Sequence, residues 1–211
     1  MWEQGILSLV ADWQNIEIVS VGFHRRRLMA NIEMQRPYDP NIFIIASMSD
    51  MIGTLDAILL IRKECPKSKI ILLSAPVNSR IMARLVKFGI NWHVSVSAEH
   101  WALKHAIMLM SAGASNERGA WEQNILLTNS TEADKILFFD DPKQWVTISQ
   151  KEKLFMRYCC QDKSFVEISK ELGLSERSLH NIAVEMYRKC EVNSRHHFVM
   201  NLLEYRVVNI F

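Results

Sequence analysis

A chain of 211 residues, 49% apolar and 23% charged, has room for one large domain or two small ones and enough apolar surface for a true core, which excludes collagen-like, low-complexity and wholly disordered architectures. Its 25 Lys and Arg against 23 Asp and Glu leave a net charge of +2, too small by itself to name a partner. No apolar run reaches the roughly 18–20 residues of a membrane span, and the opening Met-Trp-Glu-Gln-Gly lacks the basic-then-apolar order of a secretory leader, so the expectation is a cytoplasmic protein with no membrane partner.

The first half alternates two kinds of segment. Ile16-Glu17-Ile18-Val19-Ser20-Val21 reads as a strand, followed by three more at 41–46, 69–73 and 91–96. The middle two are near-continuous apolar runs, as in strands covered on both faces. Between them, residues 54–65 carry Leu55, Ile58 and Leu59 at helical spacing and stop before Pro66. Residues 80–88 end at Gly89, a helix-terminating signal, and residues 98–110 form a last helix. Alternating strand and helix predicts a parallel sheet with right-handed crossovers. His24-Arg25-Arg26-Arg27 reads as a solvated helix start rather than a nucleic-acid patch. Trp92, His93, His100, Trp101 and His105 read as the surface of the last strand and helix.

Ser111-Ala112-Gly113-Ala114-Ser115-Asn116 is small and polar and marks a boundary, giving domains at 1–113 and 147–211 joined by a linker at 114–146. Within that linker, residues 135–139 read as a strand. The four cysteines, Cys65, Cys159, Cys160 and Cys190, lack metal-ligand spacing and read as buried free thiols, so no metal or cofactor is expected.

The last third is helical. Ser149-Gln150-Lys151-Glu152 and Ser164-Phe165-Val166-Glu167 both fit the Ser-x-x-Glu capping box. Leu154, Phe155, Tyr158 and Cys159 stripe the first helix, and Ile168 and Leu172 the second. Gly173-Leu174-Ser175 then separates the second helix from a third with an apolar face of Leu179, Ile182, Ala183, Met186, Tyr187 and Cys190. A fourth carries Phe198, Val199, Leu202 and Leu203. Two helices joined by so short a glycine-bearing turn are a helix-turn-helix signal, whose second helix lies in the major groove. Its outward flank here offers Arg177, Ser178, His180, Asn181, Val184, Glu185, Arg188 and Lys189. Asn181 suits adenine, His180 a guanine or a phosphate, and Val184 a thymine methyl. Arg177, Ser178, Arg188 and Lys189 suit phosphates, as does the helix N-terminus, with Ser175 as its cap. A merely solvated polar face would show the same residues. Residues 143–211 hold 11 Lys and Arg against 8 Asp and Glu, the remainder 14 against 15, which agrees with double-stranded DNA as partner without demanding it.

Residues 148–198 resemble the LuxR/NarL-type DNA-binding domain without a gap. The matching residues are Ile148-Ser149-Gln150-Lys151-Glu152, Glu167-Ile168-Ser169-Lys170-Glu171-Leu172-Gly173-Leu174-Ser175, Ser178-Leu179-His180-Asn181-Ile182 and Lys189-Cys190-Glu191-Val192-Asn193-Ser194-Arg195. The resemblance implies a four-helix domain whose third helix reads DNA and whose fourth commonly mediates dimerisation. His180 replaces the family's usual lysine and Ile182 its usual histidine. Both changes remove positive charge, which predicts weaker binding by this chain alone. A phosphate contact through His180 would make binding pH-dependent.

The N-terminal half resembles the receiver domain that usually accompanies this family, a flavodoxin-like sheet. Residues 3–10 resemble its first helix and 15–19 its second strand. Residues 39–46, 71–75 and 89–96 resemble its third to fifth strands. On this register the first strand would precede Met1 and is expected to be absent. Ala46 falls on the phosphoacceptor aspartate, and the phosphate-pairing lysine falls near Val96. Ser74 alone keeps a hydroxyl, read as a satisfied loop group. Phosphotransfer needs a nucleophile and a metal, and alanine supplies neither, so no aspartyl phosphorylation is expected. Lys135-Ile136-Leu137-Phe138-Phe139-Asp140-Asp141 resembles the missing first strand with its acidic pair. It either inserts into the sheet or forms a linker strand or short helix on the C-terminal domain.

The expectation is therefore an α/β receiver-like domain lacking its first strand, plus an all-α helix-turn-helix domain. The chain would be a phosphorylation-independent transcription regulator reading DNA with helix 176–190. Its N-terminal domain would serve dimerisation, as a homodimer, or heterodimerisation with another regulator. The alternative is a modulator that heterodimerises without reading DNA. No acid–base constellation or phosphate loop points to an enzyme.

Overall fold

The computed structural model describes residues 41–47, 51–112, 138–161 and 163–208. The expected helix at 3–10, the strand at 16–21 and the basic run at 24–27 lie outside the described residues. The chain divides into two compact units. Among the described residues no helix is long and apolar enough to cross a membrane.

In the first unit, strands β1 (Ile42–Ser47), β2 (Lys69–Ser74) and β3 (Trp92–Ser95) form a parallel sheet in the order β1-β2-β3. Ile42 pairs with Lys69, Ala46 with Leu73, and Leu72 with His93. Helices α1 (Met51–Glu64), α2 (Ser79–Phe88) and α3 (His100–Ser111) alternate with the strands. Ile71, Leu73 and Val94 face α3 and pack on Leu103, Ala106, Ile107 and Met110. Ile70 and Leu72 point the other way and are also fully buried. That double coverage is what the unbroken apolar run in β2 requires. Right-handed crossovers place α1 and α2 together on that second face. α1 buries Ile52, Leu55, Ile58 and Ile61 at helical spacing and starts at Met51, three residues earlier than its periodicity predicts. α2 ends as read: Gly89 adopts φ +102°, and Gly89 and Ile90 donate their N–H groups to Val86 and Leu85. This closure satisfies carbonyls that the helix end would otherwise leave exposed.

The second unit holds a short helix α4 (Pro142–Trp145) and the longer α5 (Gln150–Cys159), α6 (Phe165–Glu171), α7 (Glu176–Lys189) and α8 (Arg195–Glu204). Phe155 sits at its centre, stacked on Phe198 at 5.9 Å and edge-on to Phe165 at 6.2 Å. The strand read at 135–139 is corrected over its described part. Phe138–Asp140 is a single 3₁₀ turn, and Asp141 caps α4 by accepting from the Lys143 N–H at 2.8 Å. Pro142, lacking an N–H, fits the first helical position and cannot continue a strand ladder. Phe139 packs edge-on to the fully buried Trp145. Phe139 is therefore a cover on Trp145, and Asp140 and Asp141 belong to this helical unit.

Candidate nucleic-acid interface

Local chemistry sets the geometry of α6 and α7. Ser149 and Glu152 form a complete capping box at the start of α5, and Ser164 and Glu167 form another at the start of α6. α6 ends where Gly173 turns to φ +62°. The Gly173 N–H donates to Lys170 O at 3.1 Å, and the Leu174 N–H donates to Ser169 O at 2.8 Å. Those two bonds close the helix and reverse the chain within three residues. Ser175 then opens α7, its Oγ accepting from the Ser178 N–H at 3.2 Å.

α7 has two contrasting faces. Leu179, Ala183 and Met186 are fully buried, and Tyr187 lies 5.2 Å from the Phe198 ring. On the other side Arg177, Ser178, His180, Asn181, Val184 and Arg188 are all exposed, and so is the cap residue Ser175. Positions 177, 181, 184 and 188 follow one line along the helix surface, as spacings of three and four residues require. Val184 is 51% exposed in the middle of that line, an apolar point on a polar surface.

The cations on this helix are not equivalent. Arg188 donates to Glu185 from both Nε at 3.0 Å and Nη2 at 2.7 Å. Lys189 is turned inward, with Nζ 2.7 Å from Glu152 Oε1 and 3.9 Å from Glu185 Oε1. It ties the end of α7 to α5. Burial pushes the Glu152 carboxyl up, but hydrogen bonds from Lys189 and Ser149 outweigh it and hold the group below the usual carboxylate range. Sequence reading missed Glu152 in this role, because its capping position explains it locally. Arg195 was legible only as a matching tail residue. Its Nη2 donates to Lys163 O at 2.7 Å and reaches Cys159 O and Gln161 O, pinning the segment that leads into α6. Burial raises the Cys159 and Cys190 thiols to about 12 and Cys160 to about 11, leaving them protonated and poorly nucleophilic.

In the first unit, Ala46 is the exposed next-to-last residue of β1, beside Leu73 of β2. Ser74 is buried, donates to Ala75 O at 3.0 Å and lies 2.9 Å from His93 Nε2. His93 is therefore buried inside the sheet edge, which corrects its reading as a surface residue. Burial depresses its pKa, partly offset by a bond to the Ala75 backbone. Trp101 and His105 are exposed on α3, with ring centroids 6.3 Å apart.

Together α6, the tight turn and the two-faced α7 define a helix-turn-helix domain. Residues 146–202 match the family of bacterial regulatory proteins described as the luxR family. No curated protein matches the sequence. Among solved structures, the chain is similar to RcsB from Salmonella enterica serovar Typhimurium bound to promoter rprA in the presence of the phosphomimetic BeF3−, at 18% identity over 95% of this chain and 92% of that chain, with a TM-score of 0.55. A second structure of the Salmonella typhimurium RcsB response regulator matches at 18% identity over 98% and 92%, with a TM-score of 0.54. A complex of the two-component response regulator RcsB with DNA matches at 18% over 96% and 92%, with a TM-score of 0.51. The likeness is one of fold: a receiver-like α/β unit followed by a helix-turn-helix unit.

Proposed function

We propose that this chain is a DNA-binding transcription regulator that lays α7 in the major groove and works without phosphorylation. The observation that carries the reading is the exposed polar face of α7 over a buried apolar face, inside a luxR-family domain. The similar RcsB structures include complexes with DNA, which supports the same use of the fold. In this reading His180, Asn181 and Val184 meet base edges. Arg177, Ser178, Arg188 and the α7 N-terminus with its Ser175 cap meet phosphates. Lys189 is reserved for Glu152 and reaches a phosphate only by leaving it. The N-terminal unit, with Ala46 at a strand end that offers no nucleophile, serves dimerisation or partner binding. A two-fold dimer would read paired half-sites one helical turn apart or a multiple of it.

A second reading, a modulator that acts only by protein contact, draws support from the pairing of both Arg188 and Lys189 with carboxylates. Gel shift of the purified chain at low and high salt separates the two. A complex whose affinity falls steeply with salt supports direct binding. No complex at low salt, restored by a second regulator, supports the modulator.

A further inference from the structure

Resting on the DNA-binding reading above, the geometry points to Glu185 as a built-in competitor for DNA phosphate, which contends with the duplex for Arg188 and so lowers the affinity and salt sensitivity of the helix. Arg188 stands on the same exposed line as Arg177, Asn181 and Val184, where a groove-bound helix meets the duplex backbone. Its side chain is 71% exposed, yet the Nε and Nη2 edge of its donor fork is taken by the two oxygens of Glu185, at 3.0 and 2.7 Å. A planar guanidinium offers this same two-bond fork to a phosphate. One turn of α7 thus supplies both the phosphate donor and a carboxylate that imitates its target. The hydrogen bond from Arg188 is the main cause that holds the Glu185 carboxyl below the usual carboxylate range. Lys189 provides no substitute cation, because its ammonium rests on Glu152. The C-terminal half of α7 therefore brings both of its cations to the duplex already paired, Arg188 with Glu185 and Lys189 with Glu152 of α5. An exposed pair of this kind is weak and breaks at little cost. The competition is accordingly a matter of degree, tuned by salt, and not a lock.

The test is equilibrium binding of the full-length chain to a fluorescent random-sequence duplex of about 30 base pairs, titrated with salt. Glu185→Gln keeps helix propensity and shape and removes only the charge. It is expected to bind more tightly at low salt and to lose about threefold more affinity than the wild type between 50 and 200 mM salt, the signature of one added phosphate contact. In the Arg188→Gln background, which lacks the contested donor, the Glu185→Gln change should give no gain. If the wild type binds but E185Q keeps its salt slope, the inference falls and the DNA reading stands. A gain that persists without Arg188 also overturns the inference, since it would mean simple repulsion between Glu185 and the duplex. If neither chain binds at any salt, both readings fall together.

Discussion

Lys189 Nζ lies 2.7 Å from Glu152 Oε1, two residues 37 apart in sequence that join the last turn of α7 to the first turn of α5. Their side chains keep only 17% and 12% of their exposure, so neither charge is well hydrated without the other. Because the same Glu152 completes the capping box with Ser149, one carboxylate both starts α5 and fixes the far end of α7. The orientation of the exposed face of α7 depends on this link.

Removing one partner strands the other. Lys189→Met is expected to lower the stability of the helical unit by about 2 kcal/mol, short of the 3–5 kcal/mol of a fully dry pair because some water still reaches both groups. Denaturant unfolding measures the loss. Neutralising both partners, as in E152Q/K189M, is expected to recover part of it.

Acid acts on the two units in different windows. The Glu152 pKa is depressed in the fold, so its stabilisation is complete above the ordinary value of 4.5 and is lost as pH falls below it. His93 is also depressed, from 6.5, because it is buried neutral; its contribution is complete above 6.5 and disappears as pH falls, since the unfolded chain takes up a proton there more readily. Hydrogen exchange followed from pH 7.5 to 4 should show protection in β2 and β3 declining first, and α5 and α7 only below 4.5. His93→Gln should flatten the first decline and leave the second.

Gly89 is tied to Arg62 by two hydrogen bonds. Arg62 donates to Gly89 O through both Nε and Nη2, and to Asn91 Oδ1 and Ser68 O at 2.5 and 2.6 Å. One guanidinium thus joins the ends of α1 and α2 to the entries of β2 and β3. A Cβ at Gly89 would strike the Arg62 side chain in a backbone conformation that L residues already resist. Gly89→Ala is expected to cost about 2 kcal/mol or more. Thermal unfolding of the variant is the check.

Glu191 closes α7 in the left-handed region, at φ +53°, with its N–H on Arg188 O and that of Val192 on Tyr187 O. A side chain there is strained and glycine is not. Glu191→Gly is expected to stabilise the helical unit by roughly 0.5–1 kcal/mol, read from the denaturant midpoint.

Features set by neighbours in sequence were legible. Both capping boxes, the closures at Gly89 and Gly173 and the polar line on α7 follow from spacings of three or four residues. The apolar run ending in Phe138 and Phe139 misled, because a short apolar stretch suits a strand or a buried turn equally and only Asp141-Pro142 decides for a helix start. Reading Trp92 and His93 together as strand surface missed that His93 is covered beside Ser74, a contact set by tertiary packing. The Glu152–Lys189 link belongs to tertiary packing, and no local spacing reports it.

The most direct test of the account is methylation protection on a selected DNA site. Dimethyl sulfate modifies guanine N7 in the major groove and adenine N3 in the minor groove, so it reports which groove is occupied. The expected result is protection of guanine N7 at paired half-sites by the wild type, with no protection of adenine N3. Asn181→Ala should lose about 1–3 kcal/mol of discrimination at one base position and keep its fold. Protection confined to the minor groove, or full sequence-specific protection by a chain carrying alanine at positions 180, 181 and 184 together, would contradict it.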